Sequence, residues 1–302
     1  MANKEASRIV RVSLIQPGPM TNNKAKNIKD FLRKVEEVAE KEHPDFLMGA
    51  ELSLTPYFCS VCDERYFDLA EPIPGPVTEL FGEKTKKYKI CLLLSIFERA
   101  SIEGVYYNSV VVLGPEGNII EGIMPDGTKV RSYAKNHIPY RPSDPSNYNE
   151  RFYFKEGIGY PVFETPKARI GIATCFDRYF PEDLAVLGRQ GVEIIFSPGA
   201  CWQGLLPERG ASAEEMYMPV LRTRALENSA WVCATNKVGA ENVHGKVTTF
   251  FGMSSIIHPT GQVVVQALRA EPAVITYDLD LEDVSIARRF FPIHCLLESE
   301  SR

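Results

Sequence analysis

The feature that most limits what this chain can fold into is a repeat. Leu113-Gly-Pro-Glu-Gly-Asn-Ile-Ile120 returns in outline as Ile257-His-Pro-Thr-Gly-Gln-Val-Val264, each an apolar run, a turn and a second apolar run. Glycine and proline between apolar runs mark a β-hairpin, expected to join 107–113 to 119–123 and 253–258 to 263–267. The segments ahead of the two turns also share one order. In the first, 9–15 is a β-branched run that reads as a strand, and 24–42 places Ile28, Phe31, Leu32, Val35, Val38 and Ala39 at helical spacing. A strand at 46–50, a helix within 77–88 and a strand at 90–97 follow. In the second, the order is a strand at 170–174, a proline-opened helix at 181–189, a strand at 193–197, a helix near 213–227 and a strand at 230–236. The chain therefore reads as two pseudo-equivalent α/β halves.

Val110-Val-Val112 and Ile194-Ile-Phe196 lack polar alternation, so these strands are expected to be covered on both faces. No Gly/Ser/Pro-rich linker divides the halves, which predicts one domain over 1–302, with a core at about 9–281 and a C-terminal tail at about 282–302. Loops 124–132 and 203–211, rich in glycine, proline and charge, are expected to border a pocket.

Formal charge is −5, from 34 basic and 39 acidic side chains of interspersed sign, which gives no electrostatic footprint for nucleic acid. The N-terminus is polar, and no apolar run approaches the roughly 18 residues of a membrane span. Seven cysteines, an odd number, sit in contexts such as Ile90-Cys-Leu92 and Trp231-Val-Cys233. That pattern suits reduced thiols and a cytoplasmic protein. Cys59-Ser-Val-Cys62 has the spacing of half a zinc site, but no second such pair exists and no metal role is expected.

Cys175 falls at the end of a strand and shortly before a helix, where α/β sheets bind ligands. A thiol with a pKa near 8.5 needs a neighbouring base, cation or dipole to attack at neutral pH. Two other strand ends carry candidates: Glu51 after Phe46-Leu-Met-Gly-Ala50, and Lys135 in Tyr133-Ala-Lys-Asn-His-Ile-Pro139. A carboxylate to take the thiol proton and an ammonium to hold an oxyanion complete a hydrolytic set.

Three stretches in this order, Ala50-Glu-Leu-Ser-Leu-Thr-Pro-Tyr57, Tyr133 to Pro139 and Thr174-Cys-Phe-Asp-Arg-Tyr-Phe-Pro-Glu182, resemble the nitrilase superfamily. The resemblance runs over about 9–281. It implies a four-layer αββα sandwich, no metal or cofactor, Glu51, Lys135 and Cys175 as catalytic residues, and a homo-oligomer. Tyr148-Asn-Glu-Arg-Phe-Tyr-Phe154 resembles the family segment with a second glutamate, which makes Glu150 a positioning carboxylate. The backbone N–H of Phe176 would join Lys135 at the oxyanion. Two departures concern the pocket outline: Pro56 replaces a usual glycine, and 124–131 is longer than usual.

Arg178 matches an arginine of members acting on N-carbamoyl amino acids, where a guanidinium fork suits a substrate carboxylate. Members acting on carbamoylated polyamines carry an uncharged amide there. The expected activity is thus hydrolysis of a small N-carbamoyl amino acid to the amino acid, carbon dioxide and ammonia. The alternatives are an amidase or nitrilase with another substrate, a silent binding relative, and an Arg178 that pairs structurally with Asp177, Glu182 or another acid. His137 receives no role.

Overall fold

The computed structural model describes residues 8–140, 149–204 and 212–291. In the first half, β1 (Ile9–Gln16) leads to α1 (Lys24–Glu42), β2 (Phe46–Met48), α2 (Pro76–Tyr88), β3 (Cys91–Arg99) and β4 (Tyr106–Leu113). Short strands β5 (Gly122–Ile123), β6 (Lys129–Val130) and β7 (Tyr133–Ala134) and a single helical turn, α3 (Glu150–Tyr153), bridge to the second half. That half runs β8 (Val162–Glu164), β9 (Arg169–Ile172), α4 (Pro181–Arg189), β10 (Ile194–Ser197), α5 (Ala213–Asn228) and β11 (Trp231–Ala234). It ends in β12 (Val238–Val243), β13 (Lys246–Phe251), β14 (Ser255–Ile257), β15 (Val263–Gln266), β16 (Ala273–Asp280) and α6 (Glu282–Phe290).

Sequence chemistry sets the helix ends. Asn23 accepts from the Lys26 backbone to open α1, and His43 closes it in the left-handed region. Pro181 supplies the first turn of α4, where its missing N–H costs nothing. Ser212 and Glu215 form a capping box on α5.

Two sheets result, β16-β1-β2-β3-β4-β7 and β15-β14-β11-β10-β9-β8-β5-β6. In the first, β1, β2 and β3 pair in parallel and β4 returns antiparallel. In the second, β9, β10 and β11 do the same and β14 returns antiparallel. The two halves are pseudo-equivalent, and their turns match bond for bond. Gly114 N–H donates to Asn118 O and Gly117 N–H to Gly114 O, while His258 donates to Gln262 and Gly261 to His258, all at 2.8–2.9 Å. Gly117 and Gly261 take φ of 85° and 79°, which glycine adopts at little cost.

The strand after the first turn departs from the expected hairpin. Ile119 touches Leu113 through one bridge, and Gly122–Ile123 then pairs with β8 and β6 in the other sheet. In exchange, β16 crosses back to pair with β1 over eight residues. Residues 282–290, expected within a tail, form a helix that buries Val284 and Ala287.

One core cluster lies between the sheets, with Val12, Leu14, Phe46 and Leu93 facing Phe163, Ile170, Ile172 and Phe196. Phe46 and Phe196 meet across it at 5.5 Å, each fully buried ring contributing about 1.5–3 kcal/mol. The opposite strand faces, Leu47, Leu92, Leu94 and Val111, pack on Phe31, Val35 and Phe81 of α1 and α2. Apolar burial on both faces accounts for the runs without alternation, and the layers are α, β, β, α. No helix among the described residues is long and apolar enough to cross a membrane.

Candidate active site

Glu51 follows β2, Lys135 follows β7, Cys175 follows β9 and Glu150 begins α3. The fold brings them to one place, because β2 and β9 end at the same edge of the two facing sheets. Lys135 is fully buried, and its Nζ donates to Glu51 Oε1 at 2.8 Å and Glu150 Oε2 at 2.7 Å. An ammonium has three donors, so a third N–H remains for another acceptor. Glu51 Oε1 also accepts from Asn108 Nδ2 at 2.7 Å, and Oε2 accepts from the Ala200 backbone at 2.9 Å. Glu150 Oε1 accepts from the Tyr57 hydroxyl at 2.7 Å.

One ammonium between two buried carboxylates leaves an excess negative charge. Burial drives the Glu51 carboxyl upward, but the Lys135 charge and hydrogen bonds from Lys135, Cys175 and Asn108 outweigh it and hold Glu51 below its usual value. Burial, reinforced by the Glu51 charge, pushes Glu150 up to about 7 against Lys135 and Tyr57. Glu51 is therefore the carboxylate of the pair, and Glu150 is the group that accepts a proton first. Burial opposes the Lys135 charge, yet Glu150 and Glu51 carry it well above the usual lysine value.

Cys175 is half-buried, with φ of 50° and its N–H bonded to Pro198 O at 2.8 Å. A non-glycine residue in the left-handed region stores strain that the surroundings must hold. Its sulfur lies 3.8 Å from that of Cys201. The hydrogen bond with Cys201, then burial and the Glu51 charge, push the Cys175 thiol well above its usual value. The thiol rests protonated beside an ionised carboxylate. Such a set can pass a proton from sulfur to Glu51, attack an electrophilic carbon and hold an oxyanion on Lys135.

The cysteine turn and the lysine segment are tied by Asp177, which sequence reasoning missed. Fully buried, it accepts at Oδ2 from the Tyr133 hydroxyl and the Thr174 N–H, the latter at 3.1 Å, and at Oδ1 from the His137 N–H at 2.8 Å. His137 also faces Asp177 Oδ1 with Nδ1 at 3.0 Å and Asp183 Oδ2 with Nε2 at 2.9 Å. Its ring stacks on Phe180 at 3.5 Å. Burial lowers the His137 pKa, but Asp177 and Asp183 more than compensate and raise it. Asn108 was missed as well; a polar residue inside the apolar run 107–113 was the available signal.

A cavity of about 510 Å³ opens onto Cys175, lined also by Tyr57, Glu150, Phe176, Tyr179, Cys201 and Trp202. Larger depressions of about 840 and 520 Å³ lie elsewhere, and the stretch at 124–132 contributes to the lining of both, away from Cys175. Of the other loop, 205–211 lies outside the described residues. Arg178 does not line the cavity among the described residues. The residue is 1% exposed and its guanidinium abuts Gly199, where a Cβ would sit 2.8 Å from Nη2 and 3.3 Å from Cys201 Sγ. It faces the Tyr217 ring at 5.0 Å, its Nη2 reaches Ser197 O only at a long 3.5 Å, and Nε and Nη1 have no partner. Among the described residues Arg178 makes no ion pair with Asp177, Glu182 or any other acid, and Asp177 is engaged as above.

The family model described as Carbon-nitrogen hydrolase matches residues 11–289. Over 297 residues the chain is 31% identical to an N-carbamoylputrescine amidase of Solanum lycopersicum, covering 96% of this chain and 92% of that protein. It is 30% identical to a beta-ureidopropionase of Arabidopsis thaliana, covering 91% of this chain and 67% of that protein. The crystal structure of a carbon–nitrogen hydrolase from Helicobacter pylori G27 superposes with a TM-score of 0.81 at 26% identity, over 95% of this chain and 94% of that one.

Proposed function

The chain belongs to the carbon–nitrogen hydrolase family, and from that premise we propose that it hydrolyses a small N-carbamoyl compound bearing a carboxylate, with Cys175 as nucleophile. Glu51 takes the thiol proton as sulfur attacks the carbamoyl carbon. The third N–H of Lys135 and the Phe176 N–H stabilise the tetrahedral oxyanion. Glu51 returns the proton to the departing nitrogen, ammonia leaves, and water activated by the same carboxylate cleaves the S-thiocarbamate. The carbamic acid released loses carbon dioxide. Glu150 holds Lys135 in place and touches no reacting atom, and no cofactor enters.

Cleavage of a carbamoyl group is supported by the names of the relatives at 31% and 30% identity. The carboxylate rests on one observation: Arg178, fully buried behind the cavity wall, has two nitrogens, Nε and Nη1, without partners and no acidic neighbour in contact among the described residues. An uncompensated buried guanidinium is costly unless an anion completes it. Arg178 lies against Tyr217 and, like Cys201, borders Gly199, and its charge acts on Cys201, Cys175 and Tyr179 of the cavity wall.

The competing reading, a carbamoylated amine, takes its support from the relative named for carbamoylputrescine. Ammonia release from N-carbamoyl-β-alanine, N-carbamoylputrescine and butylurea at equal concentration separates the two. The proposal expects the anionic ureide to have the highest kcat/KM. A preference for the cationic ureide would remove the carboxylate from the account.

A further inference from the structure

Cys201 has no part in the proposed hydrolysis, yet its place is tightly specified. Asn236 grips its backbone from both sides, accepting from the Cys201 N–H at 2.6 Å and donating to its carbonyl at 3.0 Å. Asn236 is itself fixed by bonds to Gly252 O and Ser254 Oγ at 3.0 and 2.9 Å. The facing Cys175 is pinned through Pro198 O. Two sulfurs are thus held 3.8 Å apart on one cavity wall, open to any small solute that enters it. Cys59, Cys91 and Cys233 are buried in the apolar cores.

We propose that Cys175 and Cys201 are a reversible oxidation site that closes to a disulfide on reaction with a peroxide, switching the hydrolase off. A disulfide needs about 2.05 Å between sulfurs, so two side chains share a closure of under about 2 Å. Cys201 lies beside the Arg178 guanidinium, a neighbour that favours thiolate. The Cys201 thiolate attacks one peroxide oxygen; the S–O bond forms, the O–O bond breaks and hydroxide leaves, to be protonated to water. Glu51 then takes the Cys175 proton, and that thiolate attacks the Cys201 sulfenic sulfur. The S–S bond forms, the S–O bond breaks and the oxygen departs as a second water. Two thiols lose two electrons in all, and the peroxide is reduced by two.

That closure silences hydrolysis rests on Cys175 being the nucleophile; that the bond forms does not. The full chain is therefore treated with hydrogen peroxide, and intact mass, peptide maps and ammonia release from N-carbamoyl-β-alanine are read in parallel. The expected result is a loss of two hydrogens, a Cys175–Cys201 cross-linked peptide, and an activity that disappears and returns with dithiothreitol. In Cys201→Ser and Cys201→Ala, each compared with its own untreated activity, no cross-link forms and dithiothreitol fails to restore activity, because Cys175 proceeds to sulfinic acid. Oxygen added to Cys175 without a cross-link in the unmodified protein, or equal recovery with and without Cys201, overturns the site. A cross-linked protein that keeps its activity leaves the bond standing and instead removes both the switch and the nucleophile assignment.

Discussion

Glu150→Gln removes a charge from the cluster while keeping its shape and its hydrogen-bonding reach. Lys135 then loses an anionic acceptor at 2.7 Å and keeps an uncharged one. The hydrogen bond survives, but the attraction between opposite charges that accompanied it, about 1–1.5 kcal/mol at an effective dielectric well above that of a dry interior, is lost. The Glu51 carboxyl, freed from its like-charged neighbour, becomes a weaker base, which acts in the same direction. The variant should lose about tenfold in kcat with KM little changed, since Glu150 acts through Lys135. A second signature follows from the Glu150 carboxyl being held up to about 7 by burial and the Glu51 charge. In the unmodified protein kcat should rise with pH through that value as Glu150 ionises and tightens on Lys135. In Glu150→Gln that limb should vanish. Steady-state ammonia release from pH 5.5 to 8.5, a range spanning that limb, measures both. An unchanged kcat with the limb intact would refute the positioning role.

Three shorter tests follow. Arg178→Gln removes a positive charge behind the cavity wall and should reduce kcat/KM for an anionic ureide by about tenfold, the scale of one charge pair felt across a partly desolvated wall, while butylurea hydrolysis changes little; equal losses on both would make Arg178 structural. His137 has its folded pKa raised by Asp177 and Asp183, so its stabilisation is fully present below the unfolded value near 6.5 and is lost as pH rises through the folded one. The Tm gap between the unmodified protein and His137→Gln, about 2–4 °C at low pH, should close as pH rises, and a gap that is constant or widening would contradict the clamp. Cys175→Ala should fold with an unaltered circular dichroism spectrum and release no ammonia above background.

Much of the fold was legible because its signals are local. The helix at 24–42 follows from apolar spacing and that at 181–189 from Pro181, and the two Pro/Gly turns carried the internal symmetry. What escaped depends on distant partners. Gly122–Ile123 offers no local reason to leave its hairpin; Phe163 and Val162 of β8, across a long loop, provide it. Within the site, Glu51, Lys135 and Cys175 stood at strand ends, where period and position make a charge conspicuous. Asp177 lay in the same motif as Cys175 but looks like an ordinary surface acid, and only the convergence of Tyr133, His137 and Thr174 on it gives it a task. Arg178 could be named but not oriented, because whether a guanidinium faces a cavity or lies behind its wall depends on Gly199 and Cys201, which belong to another strand end.

The central claim, covalent catalysis by Cys175, is tested most directly by stopping the reaction with acid during turnover of N-carbamoyl-β-alanine and weighing the protein. The account predicts a population heavier by the substrate less ammonia, localised by peptide mapping to Cys175, appearing before free ammonia reaches its steady rate and absent from Cys175→Ala. Turnover with no adduct on Cys175, together with ammonia release by Cys175→Ala at a comparable rate, would contradict it.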